Sequence, residues 1–174
     1  MTAQRQERNG SRFRINFRPR IAFFVLLASL AAPPCLPPAA RAATTERVVV
    51  NRYTGLAIEG FDPVAYFVDA HPERGREAFE ASEAGAVWRF RNPGNRASFV
   101  AHPEIYGPQF GGYDPIDAAR GVTVAGNPRF WLISGQRLYL FGRKERRDAF
   151  AADPLPFLRE ATARWPALRH DLAQ

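Results

Sequence analysis

The chain has 174 residues, with 24 Lys and Arg against 17 Asp and Glu, and a net charge of +7 at neutral pH. Residues 1–42 hold seven of these bases and only one acid, which leaves 17 bases against 16 acids in the rest of the chain. Because the basic excess lies in a segment that export would remove, the charge does not support nucleic-acid binding by the folded domain.

Residues 1–42 have the pattern of a secretory signal peptide. Six arginines from Arg5 to Arg20 precede Ile21–Ala32, a run of 12 residues that is apolar except for one serine. This run is shorter than the roughly 20 apolar residues that a membrane-spanning helix needs. Ala40 and Ala42 supply small residues at the positions that a signal peptidase reads. We therefore expect cleavage after Ala42, Sec export to the periplasm and no stable membrane anchor afterwards.

Cleavage after Ala42 would also remove Cys35, which is the only cysteine. A thiol-free chain has no disulfide, no thiolate metal site and no cysteine nucleophile. The three histidines, at positions 71, 102 and 170, are too scattered to form a metal-ligand motif. The sequence therefore predicts no metal site and no cofactor, and residues 43–174 have the length of a single domain.

Short strands and short helices alternate along residues 43–174. The run of valines at Val48–Val50 predicts an opening strand at Arg47–Asn51. Strand-like segments on either side of a glycine turn predict a hairpin of Ala78–Glu83 with Ala86–Arg91 about Ala84-Gly85, and a hairpin of Phe130–Ile133 with Arg137–Phe141 about Ser134-Gly135. A capping residue followed by proline predicts helix starts at Asp62-Pro63, at Asn92-Pro93 with a helix to about Ala101, and at Asp114-Pro115 with a helix ending at Gly121. Two further helices are predicted at Lys144–Ala152 and near Pro156–Trp165.

An internal repeat relates the two halves of this pattern. Residues 84–106 and 135–157 align without a gap at an offset of 51, so that Phe99 meets Phe150. Each copy contains a hairpin strand, a helix and a restart at an X-Pro pair. We therefore predict an α+β fold, in which a small antiparallel sheet of hairpins and short helices forms two similar hairpin-plus-helix units in one domain. His102 aligns with Asp153 before a proline, which favours helix capping by both side chains over a ligand or catalytic role for His102.

The same region resembles a known family of exported proteins. The segments that carry the resemblance are Gly55–Phe67 (GLAIEGFDPVAYF), Trp88–Phe90, Asn95–Phe99, His102–Tyr106 and Gln109–Tyr113 (QFGGY). Together they resemble the exported YHS-domain proteins from about Leu56 to Trp165. The resemblance implies a YHS-like fold and a periplasmic location.

The chain departs from that family at the positions of its cysteines. Metal-linked YHS domains have a cysteine after D-P-V and further cysteines after the hairpin strand, where this chain has Ala65, Arg91 and Asn95. Exported relatives often read G-G-Y-C, whereas Asp114 follows Tyr113 here. The resemblance therefore does not imply a thiolate metal site.

Other candidate sites have a structural interpretation beside the functional one. Asp62, Asp114 and Asp117 could hold a hard cation or do acid–base work if they converged, although capping explains the first two. Gly111-Gly112 favours a tight turn or a close backbone approach over a phosphate cradle. A basic run at the start of the predicted helix Lys144–Ala152 favours a solvated helix face over an anion or membrane-surface patch; its members are Arg143, Lys144, Arg146 and Arg147.

Two hypotheses of function remain. The first is an exported, non-enzymatic YHS-like binding or accessory module for an unknown small ligand or periplasmic protein, with a pocket near Tyr66, Gln109, Tyr113 and Asp114. The second is a periplasmic metal-handling protein, for copper or another cation, that uses oxygen and nitrogen ligands. No arrangement of a nucleophile with a base assigns an enzyme activity.

Overall fold

A computed structural model of the chain describes residues 47–172. The predicted signal peptide of residues 1–42 and Cys35 lie outside the described residues. The structure contains two antiparallel hairpins, short helices and two 3-10 turns. The strands are β1 (Arg76–Glu83), β2 (Ala86–Phe90), β3 (Asn127–Ser134) and β4 (Arg137–Phe141). The helices are α1 (Ala65–Val68), α2 (Pro93–Ala101), α3 (Pro103–Tyr106), α4 (Pro115–Ala119), α5 (Lys144–Ala152) and α6 (Pro154–Asp171).

The same series of elements occurs twice, which confirms the predicted α+β fold. A 3-10 turn, a short helix, a hairpin and two helices make up the first unit, residues 58–106. The second unit, residues 109–171, repeats them in the same order. Even the irregularity of the hairpins is repeated, because the register shift between Arg76 and Glu80 recurs 51 residues later between Asn127 and Trp131. The repeat found in residues 84–106 therefore extends over the whole unit.

Both hairpins have two-residue turns with positive φ angles. Ala84 and Gly85 form the first turn with φ values of 52° and 79°, as the sequence predicts. Gly135 and Gln136 form the second with φ values of 55° and 60°, one residue later than predicted. Two consecutive positive φ angles match the strand twist of a tight hairpin. The second turn lies one residue later than predicted because Ser134 pairs with Arg137 and therefore belongs to the strand.

Strand β4 separates two hydrophobic clusters. Its Leu138 and Leu140 belong to a larger cluster with the core of the first unit, whereas Tyr139 and Phe141 pack against Phe150 in a smaller one. Alternate side chains of a strand project to opposite faces, so one strand contributes to both clusters. Strand β4 of the second unit therefore contributes side chains to both hydrophobic clusters.

The two ends of the described chain differ from the sequence prediction. The segment Arg47–Asn51 does not form a strand, because only a single bridge pairs Val50 with Ala57. The chain then turns at Asn51, whose Oδ1 accepts hydrogen bonds from the amides of Tyr53 and Thr54. At the other end, α6 is longer than predicted and packs along α4. Within residues 47–172, no helix is both long and apolar enough to cross a membrane.

Candidate functional site

Asp62 is a buried acceptor that joins three parts of the first unit. Its Oδ1 accepts from the amides of Val64 at 2.9 Å and Ala65 at 3.4 Å, which caps the turn that leads into α1. Its Oδ2 accepts from the amide of Arg91 at 2.8 Å and from Nδ2 of Asn95 at 2.7 Å. The predicted capping role is confirmed, and the same carboxylate also fixes the end of β2 and helix α2.

Asp114 has the corresponding position in the second unit. Its Oδ1 accepts from the amide of Ile116 at 2.9 Å, and its Oδ2 accepts from the amide of Gly142 at 2.8 Å. Nη1 of Arg146 lies 3.5 Å from the same Oδ2 and forms a second, closer ion pair with Asp117. In the second unit the Arg146 guanidinium thus has the position of the Asn95 side-chain amide, and Asp117 is a second acid beside it.

The prediction of a solvated basic face is wrong for Arg146. Its side chain is only 17% exposed, because α5 directs it towards Asp114 and Asp117. Lys144 and Arg147, in contrast, pair with the exposed Asp148. The alignment at an offset of 51 could have identified Arg146, since it places this residue opposite Asn95.

Both units also carry a short repeated motif ahead of the hairpin. Gly60-Phe61-Asp62-Pro63 and Gly112-Tyr113-Asp114-Pro115 share the order glycine, aromatic residue, aspartate, proline. Their offset is 52 rather than 51, so a gapless comparison with the hairpin repeat misses them. Asp62 and Asp114 are therefore equivalent capping residues of the two units.

The predicted capping by His102 and Asp153 is wrong, because neither side chain caps the helix that follows it. Each residue closes one helix with its backbone amide and begins the next. Their ψ angles of 58° and 91° differ from the 120° of Asp114, which does cap with its side chain. The ring of His102 is 58% exposed, and its Nδ1 lies 3.5 Å from Oε1 of Glu104.

The four residues of the predicted pocket do not line a common opening. Tyr66 is buried, and its hydroxyl donates to the carbonyl oxygen of Pro128 at 2.9 Å. Tyr113 is buried with its ring 6.0 Å from that of Trp165, and Asp114 is the buried cap described above. Only Gln109 of the four lines the cavity described next.

A cavity of about 630 Å³ lies between the first hairpin turn, α3, the 3-10 turn at Gln109–Gly112 and α6. Its aromatic lining consists of Trp88, Phe99 and Trp165. The rings of Trp88 and Phe99 are in contact at a centroid distance of 4.8 Å, and both are almost fully buried. Trp165 is half-buried and gives the cavity its accessible aromatic surface. The volume is in the usual range for a small-ligand pocket.

Gly111 allows the chain to close one side of this cavity. Its φ of 61° is in the left-handed region, and a Cβ at this position would collide with the carbonyl oxygen of Arg47. Glycine meets both conditions because it has no Cβ. The predicted close backbone approach at Gly111-Gly112 is therefore confirmed.

Charged side chains of both signs line the cavity. Two are basic, Arg47 and Arg169, and two are acidic, Glu83 and Glu104; all four are exposed. Within residues 47–172, only Glu104 of these four has a side-chain partner, the ring of His102. The charges are balanced, and no two of the four form an ion pair with each other.

The pKa values of three side chains are shifted further away from neutral pH. Burial, together with the charges of Glu59 and Asp62, raises the pKa of Tyr66, and burial raises the pKa of Tyr139. Hydrogen bonds from Lys144 and Arg147 lower the pKa of Asp148. A general base or an activated nucleophile requires shifts in the opposite direction, towards the working pH.

The three aspartates considered as cation ligands do not converge. Asp62 lies in the first unit, while Asp114 and Asp117 share the guanidinium of Arg146. In the part of the chain that the structure describes, no three His, Cys, Asp or Glu side chains come together as a possible metal site.

Comparisons with protein-family models, with curated proteins and with solved structures found no match to this chain.

Proposed function

We propose that this chain is an exported, non-enzymatic YHS-like binding module whose small ligand occupies the cavity beside Trp165. The observation that carries the proposal is a cavity of about 630 Å³ with an aromatic lining and a charged rim. The leader pattern of residues 1–42 supports export, and the segments Gly55–Phe67 and Gln109–Tyr113 support the YHS-like assignment.

The cavity has the chemical character of a binding site. Apolar and aromatic walls favour burial of a ligand's body, while a few polar groups orient it. Here the walls come from Trp88, Phe99 and Trp165, and polar groups come from Gln109 and the rim charges. Because these residues belong to several separate elements, the folded protein presents them together and the unfolded chain does not.

Stabilisation by a ligand provides the test. A compound that binds only the folded state at free concentration L stabilises it by RT ln(1 + L/Kd), so the melting temperature rises with the logarithm of the compound's concentration once that exceeds Kd. We expect at least one member of a library of small aromatic compounds to raise the melting temperature, and we expect Trp165→Ala to weaken its binding by at least about tenfold.

Tyr53→Ala is the matched control for loss of an aromatic side chain. Tyr53 is 92% exposed and does not line the cavity, so its removal should leave the affinity unchanged. Circular dichroism confirms that both variants are folded before affinity is compared. Equal affinity of the wild type and of Trp165→Ala for every compound that binds would contradict the assignment of the cavity.

Metal analysis separates this proposal from the metal-handling alternative. The exported protein is purified without a His-tag, dialysed, and titrated with zinc and copper(I), which prefer thiolate and imidazole ligands. We expect no near-stoichiometric metal after dialysis. A stoichiometric, tightly held ion would favour metal handling over the binding module.

A further inference from the structure

We propose that the ligand of this cavity is a small aromatic zwitterion, which carries one cationic and one anionic group on a flat apolar body. This inference rests on the proposed binding function. It adds the chemical class of the ligand, and the argument comes from the arrangement of charges around Trp165.

Helix α6 presents an aromatic ring and a cation on one face. Trp165 and Arg169 are four residues apart, so their side chains are neighbours on the helix surface. Both line the cavity, and the guanidinium of Arg169 has no hydrogen-bond or ion-pair partner among residues 47–172. A carboxylate attached to a ring that contacts Trp165 would therefore lie within reach of Arg169, and a guanidinium can bind a carboxylate with two hydrogen bonds.

The first hairpin presents an acid to the same cavity. The backbone carbonyl of Glu83 accepts from Nε1 of Trp88 at 3.1 Å, which anchors this residue beside the aromatic wall. The Glu83 carboxylate lines the cavity and has no side-chain partner in the described part of the chain. The ammonium group of a zwitterionic ligand would consequently meet Glu83 on the hairpin side, while its carboxylate would meet Arg169 on the helix side.

The balance of charges disfavours ligands with a charge of one sign. A simple anion would gain from Arg47 and Arg169 but would be repelled by Glu83 and Glu104, and a simple cation would meet the reverse. A neutral compound would use the aromatic walls alone. A zwitterion uses both pairs, so its advantage should appear as a difference in affinity between compounds with the same ring.

Four compounds with an indole ring test this directly by isothermal calorimetry on the exported protein. L-Tryptophan carries both charges, indole-3-propionate only the negative one, tryptamine only the positive one, and 3-methylindole neither. Because exposed charges contribute modestly, we expect L-tryptophan to bind about fivefold or more tighter than each of the other three. Equal or tighter binding of any of the three would overturn the inference.

Two single-charge variants assign the groups. Arg169→Gln should weaken the binding of L-tryptophan and indole-3-propionate by about threefold or more and should not weaken that of tryptamine, whose ammonium loses a repulsive neighbour. Glu83→Gln should weaken the binding of L-tryptophan and tryptamine and should not weaken that of indole-3-propionate, whose carboxylate loses a repulsive neighbour. The matched controls are Arg159→Gln on α6 and Glu77→Gln on β1, which lie outside the cavity lining and should change none of the affinities.

The outcomes distinguish failure of this inference from failure of the proposed function. If 3-methylindole binds as tightly as L-tryptophan and Trp165→Ala abolishes both, the cavity is a binding site and the zwitterion is wrong. If none of the four indoles and no compound of the aromatic library binds, both proposals fail. Loss of L-tryptophan binding in Glu77→Gln to the same degree as in Glu83→Gln would also overturn the zwitterion assignment.

Discussion

At the scale of single residues, the backbone decides what an aspartate before a proline does. Asp62, Asp114 and Asp153 all precede proline at the start of a helix, yet only the first two accept hydrogen bonds from that helix. Asp153 has a ψ angle of 91°, and its backbone amide closes the preceding helix by donating to the carbonyl oxygen of Ala149. The sequence signal for a cap is the same in the three cases, so it cannot separate them.

Asp62→Ala should lower the free energy of unfolding by about 3 kcal/mol or more, because it leaves the buried donors of Val64, Arg91 and Asn95 without their acceptor. Asp153→Ala is the matched control and should change stability by less than about 0.5 kcal/mol, since its side chain is exposed and caps nothing. Urea denaturation measures both. Equal losses in the two variants would contradict the assignment of Asp62 as a structural acceptor.

Tyr66 should make the stability of the protein sensitive to alkaline pH. Burial raises the pKa of its phenol above the ordinary value of 10.0, so the folded state retains the proton more strongly than the unfolded state. The resulting stabilisation is complete below the unfolded pKa of about 10 and is lost as pH rises above it.

Tyr66→Phe removes this titration and also the hydrogen bond to the Pro128 carbonyl. We expect the variant to be about 1–3 kcal/mol less stable near pH 7. The difference from the wild type should narrow between about pH 9 and pH 11, because only the wild type loses the contribution of Tyr66. Denaturation curves at several pH values measure this, and a constant difference over that range would contradict the prediction.

At the scale of elements, equivalent helices of the two units anchor the core with the same residue. Phe99 on α2 contacts Trp88 and Phe90, and Phe150 on α5 contacts Tyr139 and Phe141. Both side chains are almost completely buried. The pairs are equivalent members of the repeat, so the two helices have equivalent roles in packing.

Phe99→Ala and Phe150→Ala should each lower the free energy of unfolding by about 3–5 kcal/mol, the usual loss for a buried phenylalanine. Val100→Ala on α2 is the control. Because Val100 is 59% exposed, its truncation should lower the free energy of unfolding by less than about 0.5 kcal/mol. Chemical denaturation measures all three. A loss below about 1 kcal/mol at either phenylalanine would mean that the two helices are not equivalent anchors.

Elements with local signals could be predicted from the sequence. Both hairpins have glycine turns and α2 has a capping residue followed by proline, and these elements occur as predicted apart from the one-residue shift of the second turn. The segment Arg47–Asn51 has the β-branched residues of a strand but does not form one, because such residues indicate only local preference, whereas strand pairing depends on distant residues. The extent of α6 depends in the same way on packing against α4.

The candidate site could be predicted only in part. Gln109 and the glycines after it are recognisable in the sequence, because their motif is local. Trp165, Arg169 and Glu83 come from separate elements that meet only in the folded chain. Arg146 looks like a member of an exposed basic run until its buried acidic partners are known.

At the scale of the whole molecule, the predicted cleavage site precedes every residue that lines the cavity. The described residues 47–172 contain both units and the cavity, and the predicted site follows Ala42. Processing at that site would therefore retain all of the cavity-lining residues.

Export should yield a mature chain that begins at Ala43. We expect the intact mass of the periplasmic protein to correspond to residues 43–174, without Cys35. Substitution of Ala42 by a bulky residue such as Phe should slow processing and leave an uncleaved precursor, while the same change at Ala39 should have little effect. A periplasmic protein that retains Cys35 would contradict both the cleavage site and the absence of a thiol.

The duplicated units also have an evolutionary consequence. In the first unit Trp88 and Phe99 line the cavity, whereas their counterparts in the second unit, Tyr139 and Phe150, do not. The second unit instead contributes Trp165 and Arg169 to the same cavity. A symmetric homodimer built from one copy would have two identical cavities or none, because every substitution would appear on both sides of its axis. Tandem fusion in one gene removes that constraint. Selection can then change the two halves separately, so that each supplies different residues to one cavity.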